Sequence, residues 1–203
     1  MRGILLPALR VALVTWVVCG IVYPLAVTGL AQSLFPFQAN GSLEKSADGV
    51  ILGSRLIGQA WIGPEWFHGR PSATTKTDPS NPAATIRAPY NAANSGGSNL
   101  GPTSKRLAER ISADRRALEQ MQPDLVGRSL PADMLTGSGS GLDPDISPAD
   151  AALQVVRIAK ARGLPSAKIN ALLERHITGR DLGIFGERRV NVLELNLALD
   201  RLR

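Results

Sequence analysis

His68 and His176 are the only imidazoles in the 203 residues, so any proton-transfer or metal chemistry has to be assembled around them. Neither lies in the ligand spacing of a zinc site. A serine hydrolase would draw on Ser72 or Ser95, one of these histidines and a distant aspartate, yet no serine sits in a G-x-S-x-G frame. Gly96-Gly97-Ser98-Asn99-Leu100-Gly101 has the glycine density of a phosphate loop. A Walker motif needs Lys directly after its second glycine and then Ser or Thr; here Pro102 follows Gly101, and Lys105 comes too late. Asp143, Asp145 and Asp150 offer carboxylates but lack the alternating ligands, central glycine and distal Glu of an EF-hand loop. With Pro144 and Pro148 among them they read as a turn leading into a helix cap. No residue pattern announces catalysis.

The element that must position everything else is VALVTWVVCGIVYPLAVTGLA, residues 11–31, 21 residues without a charge. As a helix it is about 32 Å long, enough to cross the roughly 30 Å hydrocarbon core of a bilayer. Arg2 and Arg10 precede it, and the next basic residue is Lys45. Positive charge favours the cytoplasmic side, so residues 1–10 are expected in the cytoplasm and residues 32–203 outside. Gly29-Leu30-Ala31 resembles a signal-peptide cleavage site, which leaves a cleaved leader as the alternative. The apolar run exceeds the ~7–15 residues of a signal core and favours a retained anchor. On an ideal helix Ala8, Ala12, Thr15, Cys19 and Ala26 fall on one stripe of small side chains, a candidate docking face for other spans. Pro24 removes the bond to the Gly20 carbonyl and is expected to bend the helix.

Cys19 is the only cysteine, so the exported part has no internal disulfide and must hold together by packing. The net charge is +6, but Lys and Arg are scattered among acids without interleaved aromatics. That pattern is a solvated surface rather than a nucleic-acid face.

Residues 50–57 and 59–62 read as strands of a small sheet, and residues 71–102 as a long irregular loop. Four helices follow. Residues 103–121 carry Leu107, Ile111, Leu118 and Met121 on one face. Ser147-Pro148 opens a second helix that ends before Gly163. Pro165 opens a third, running to about His176, and Asn191 with Glu194 opens the last with an approximate capping box. The expected fold is α+β: one transmembrane helix, then a single extracytoplasmic domain with a small sheet and about four helices. On composition alone Gly137–Gly141 reads as a flexible linker.

Ordered along the chain are FPFQANGS (35–42), LIGQ (56–59), FHGRPSA (67–73), SGGSNLGP (95–102), SGSGLDPDISPADA (138–151), AKARGL (159–164) and GERRVNVLELNLALD (186–200). In these stretches and in Tyr23-Pro24 of the anchor, the chain resembles the C subunits of Kdp-type potassium-transporting P-type ATPases over nearly its whole length. Residues 137–141 then begin a signature stretch rather than a linker. Where relatives often have His, this chain has Asp145, and residues 74–89 look longer than in compact members.

The resemblance implies a noncatalytic, single-pass subunit of the bacterial inner membrane. Its implied partners are a channel-like potassium-binding subunit, an ATP-hydrolysing subunit and a small membrane peptide, in the lipid bilayer and without nucleic acid. Potassium is the implied transported ion, and ATP is implied only for the complex. The family is credited with raising the pump subunit's ATP affinity, which an exported domain could do only indirectly. Arg70, Pro71, Ser72, Gly97, Asn99, Ser140, Asp143, Asn191, Glu194 and Asn196 carry the resemblance and are candidates for partner-facing positions. An exported, membrane-anchored hydrolase is the alternative.

Overall fold

The computed structural model describes residues 2–202 and divides into two compact units whose boundary in the chain lies between Leu52 and Gly53. The first unit is dominated by a continuous helix. α1 (Arg2–Val17) passes through a π turn (Val18–Val22) into α2 (Tyr23–Leu34). The apolar stretch Gly3–Leu34 is 32 residues long, and none of it is buried. At about 1.5 Å per residue it measures about 48 Å, long enough to cross a bilayer with turns to spare at both ends. The helix thus begins ahead of Val11 and continues beyond Ala31, the bounds expected from charge alone.

The π turn accounts for Pro24. Proline donates no hydrogen bond, and its ring crowds the carbonyl four residues back, that of Gly20. The wider turn lets the Tyr23 N–H reach the Val18 carbonyl instead, so the helix accommodates the proline by widening just before it. Because Cys19 lies within this turn, the uniform 100° per residue that aligned Ala26 with Ala8, Ala12 and Thr15 does not run through it. A one-turn helix α3 (Pro36–Ala39) follows, and β1 (Leu43–Lys45) pairs with β2 (Ile51–Ser54).

In the second unit the expected strand at 59–62 is absent and the one at 50–57 shrinks to Ile51–Ser54. Trp61 instead packs toward the core with Trp66, ring centroids 5.0 Å apart. Residues 71–102 are not irregular throughout: β3 (Thr75–Asp78) and β4 (Asn81–Arg87) form an antiparallel hairpin within them. Its turn is closed by the Asp78 carboxylate, which accepts from the Ser80 N–H at 2.8 Å and hydroxyl at 2.6 Å.

The four expected helices are present. α4 (Lys105–Met121) starts at Ser104, whose hydroxyl accepts from the Leu107 N–H. α5 (Pro148–Arg162) runs from the Ser147 cap to Gly163, which ends it at φ +64, a conformation glycine adopts without cost. α6 (Ser166–Arg175) follows Pro165. α7 (Val192–Asp200) begins at Asn191, which accepts from the Glu194 N–H. The capping box is half made, because the Glu194 carboxylate turns to Arg55.

Between these helices runs a three-stranded sheet ordered β5 (Asp145–Ile146), β7 (Arg189–Asn191), β6 (Ile177–Thr178). Ile146, Val155, Ile158, Ile169, Leu173, Val190, Leu195 and Leu199 are buried around Phe67, itself fully buried. Arg162 lies 4.4 Å over the Trp66 ring and donates to the Glu65 and Leu199 carbonyls. It binds the segment before Phe67 to α5 and α7. One N-terminal apolar helix, small sheets and several helices make the fold α+β.

Candidate functional site

Three of the signature stretches, far apart in the sequence, meet in the second unit. Arg70 donates from Nη1 to Asp143 Oδ2 at 2.9 Å and from Nε and Nη2 to the Thr136 carbonyl. Ser72 donates to the Gly141 carbonyl at 2.7 Å and accepts from the Tyr90 N–H at 3.0 Å. Gly96 N–H and the Ser95 hydroxyl both donate to the Ser140 carbonyl, at 2.8 and 3.1 Å. Segments 67–73, 95–102 and 136–143 are thereby stitched into one surface. The glycines are there because backbones touch. A Cβ on Gly97 would lie 2.8 Å from the Gly139 carbonyl, and one on Gly141 would lie 2.7 Å from the Gly96 carbonyl.

Tyr90 sits at the middle and was not apparent from the sequence. Its hydroxyl donates to the Arg70 carbonyl at 2.6 Å. Burial pushes its pKa up to about 12, aided by the nearby Asp143 charge, so it remains a neutral donor. Gly58 has room for no side chain against it: a Cβ there would be 2.5 Å from the Tyr90 ring and 2.6 Å from the Asp143 carbonyl.

The remaining signature residues sit around α7. Asn191 Nδ2 donates to the Arg55 carbonyl and to Asp145, and Glu194 pairs with Arg55. Asn196 is fully buried against Phe67. Ser72 and Asn196 are therefore corrections to the partner-facing expectation: at 6% and 0% exposure they hold the interior together. Ser140 and Asn99 are exposed, while Arg70, Pro71, Gly97, Asp143, Asn191 and Glu194 are half-buried.

Next to this surface lies a second polar cluster with no sequence signal beyond helical spacing. Gln154 of α5 accepts from the His68 N–H at 2.8 Å and donates to its carbonyl at 3.0 Å. It also donates to Asp150 at 2.7 Å and accepts from Arg157 at 2.6 Å. Asp150 is 1% exposed, and burial raises its pKa to about 7. Arg157 is held by the Pro64 carbonyl at 2.7 Å, and burial pulls its pKa down to about 10. His68 Nε2 meets the Gly63 carbonyl at 2.7 Å, and burial, then the Arg157 charge, lowers its pKa.

The functional groups that could do chemistry are thus engaged in the fold. The Ser72 hydroxyl lies in the Gly141–Thr74–Tyr90 network, and the two histidines address backbone carbonyls. Among the described residues, no group of three or more His, Cys, Asp or Glu could hold a metal ion.

Residues 5–201 match the family model of the K+-transporting ATPase c chain. Among curated relatives, the potassium-transporting ATPase KdpC subunit of Methylobacterium nodulans is 55% identical over 97% of this chain and 96% of its own length. The corresponding subunits of Methylorubrum populi and Rhodopseudomonas palustris are 54% and 55% identical, over 97% and 96% of this chain and 96% and 94% of their own lengths. Identity at this level over both whole chains, including the apolar helix and the stitched surface, means that the chain belongs to the KdpC family, the c chain of potassium-transporting ATPases.

Proposed function

We propose that this accessory subunit anchors itself through the N-terminal helix and holds residues 32–203 on the extracytoplasmic face of the bacterial inner membrane. There it stabilises the union of the potassium-binding, channel-like subunit with the ATP-hydrolysing subunit and the small membrane peptide. Potassium is the ion carried by such complexes. The family match carries this reading, because it runs from residue 5, inside the apolar helix, to residue 201 and so treats anchor and domain as one unit. Arg2 and Arg10 ahead of the span support a cytoplasmic N-terminus.

The candidate contacts with partners are the exposed parts of segments 71–102 and 137–147, with Asn99 and Ser140 at their surface. In the bilayer, Ala8, Ala12, Thr15 and Cys19 form the candidate docking face, with Ala26 beyond the π turn. A domain on the far side of the membrane from ATP touches no nucleotide. It raises the pump's ATP affinity only by contacting its conformations unequally.

Protease protection in sealed vesicles of known orientation, combined with copurification from cells expressing the complete set of subunits, tests both halves. Residues 32–203 are expected to be digested from the extracytoplasmic side only, and the subunits to copurify. A protease-accessible domain on the cytoplasmic side would sink the topology, and failure to copurify would sink the assembly role.

A further inference from the structure

Three arginines line one cleft of about 540 Å³ beside the stitched surface: Arg87 at the end of β4, and Arg106 and Arg110 on α4. Thr85, Ser98 and the Gly97 backbone complete the polar part of its wall, and no carboxylate is among the lining residues. This arrangement opposes local helix energetics in two ways. Arg106 and Arg110 are four residues apart on one helix, where like charges repel. Lys105 and Arg106 also open α4 with no acid in its first turn, at the end where the helix dipole disfavours cations.

The protein offsets little of this. Arg110 reaches Asp114 at 3.1 Å and the Leu135 carbonyl at 3.3 Å, but its Nε is buried with no partner. The guanidinium groups of Arg87 and Arg106 have no ion pair or hydrogen bond among the described residues. Arg110 offers a buried donor without an acceptor, and Arg87 and Arg106 add two unpaired cations at the same opening, a set of groups that suits an anion.

We propose that this cleft binds a phosphate group carried on a small organic body. With Arg110 paired to Asp114, Arg87 and Arg106 leave two positive charges, more than a single carboxylate neutralises, whereas a phosphate monoester carries about −1.5 to −2 and three acceptor oxygens. Arginine's planar fork suits such oxygens in pairs. The volume lies within the usual span of small-ligand pockets and leaves space beside the phosphate. The chemistry is shared by a soluble phosphate monoester and by the monoester headgroup of phosphatidic acid. The site stands independently of the assembly role proposed above.

The test uses the full chain in neutral detergent, with glycerol 3-phosphate as soluble probe, and the full chain in nanodiscs with and without phosphatidic acid. Saturable binding in the first arm identifies a soluble ester; saturable dependence on phosphatidic acid alone identifies the headgroup. Arg87→Gln with Arg106→Gln is expected to weaken binding by about tenfold or more, the loss of two charge-assisted contacts, while leaving Arg110 and its fold contacts intact. Without ligand, Arg106→Gln is expected to melt above the wild type, and saturating ligand to reverse that order. No saturable binding in either arm overturns the site, as does binding that the double variant retains.

Discussion

Asn196 closes both backbone groups of Phe67: its Oδ1 accepts from the Phe67 N–H at 2.9 Å, and its Nδ2 donates to the Phe67 carbonyl at 2.9 Å. Gln154 does the same for His68. Two side-chain amides, one from α7 and one from α5, thus replace the ladder that a strand at this place would have supplied. They let a segment without regular structure cross the core with its polar groups satisfied.

Asn196→Leu leaves the Phe67 N–H and carbonyl without these partners in the interior, at about 1–3 kcal/mol each. Thermal unfolding of the full chain followed by circular dichroism is expected to show a loss of about 2–6 kcal/mol. Asn196→Asp separates the two bonds. The ionised carboxylate keeps only the acceptor role, and protonation restores a donor. This variant is therefore expected to regain stability as pH falls; a pH-independent loss would show that the donor to Phe67 contributes nothing.

What could be read beforehand followed the range of the interactions. The caps at Ser147, Gly163 and Asn191 act within a turn of their own helices, so residue types alone located α5 and α7. Asn196 and Phe67 are 129 residues apart, and nothing local to either predicts the pairing. The β3–β4 hairpin escaped notice because β4 is exposed at nearly every position and so lacks an apolar alternation. Its Asp78-Pro79-Ser80-Asn81 turn was the available signal. The signature glycines were visible as motifs, while their cause, backbones from other stretches at 2.7–2.8 Å from a would-be Cβ, was not.

Gly141 and Gly139, two residues apart, should respond very differently to alanine. Gly141 has φ +68, and a Cβ there would lie 2.6 Å from Thr74 Cγ2 and 2.7 Å from the Gly96 carbonyl. Left-handed strain plus overpacking puts Gly141→Ala at about 2–4 kcal/mol, a fall in Tm of roughly 5–15 °C. A Cβ on Gly139 meets nothing within 4 Å, so Gly139→Ala is expected to stay within about 0.5 kcal/mol of wild type. Equal effects of the two changes would mean that the stitched surface is looser than this geometry requires.

Asp150 makes the domain's stability fall as pH rises. Its folded pKa of about 7 lies above its ordinary value of 3.8, so the folded state binds the extra proton between those values. The associated stability is complete below about 4 and is lost as pH rises through about 7, with a ceiling of about 4 kcal/mol. Asp145, raised by burial, acts in the same direction. His68, lowered by burial, acts oppositely around its ordinary value of 6.5. Comparing wild type with Asp150→Asn at pH 5 and pH 8 removes these background contributions. The variant is expected to gain stability relative to wild type on going to pH 8, while its amide still accepts from Gln154. A stability difference that is the same at both pH values would place the titration elsewhere.

The anchor carries the last prediction. All of its side chains from Ile4 to Leu30 are exposed, and in a bilayer that exposure costs nothing, since lipid tails are as apolar as Leu. Only close packing separates a docking face from the rest of the helix. Ala12→Leu and Cys19→Leu add bulk to the small-residue stripe without changing hydrophobic character, one before the π turn and one inside it. Val14→Leu adds bulk on the opposite side of α1 and serves as the control. Copurification of the complex from membranes is expected to fall about fivefold in the first two variants, as a loss of ~1 kcal/mol in helix association implies. The control is expected to keep wild-type yield. If Ala12→Leu and Cys19→Leu both keep it as well, the helix is a tether and the assembly is held by the domain alone.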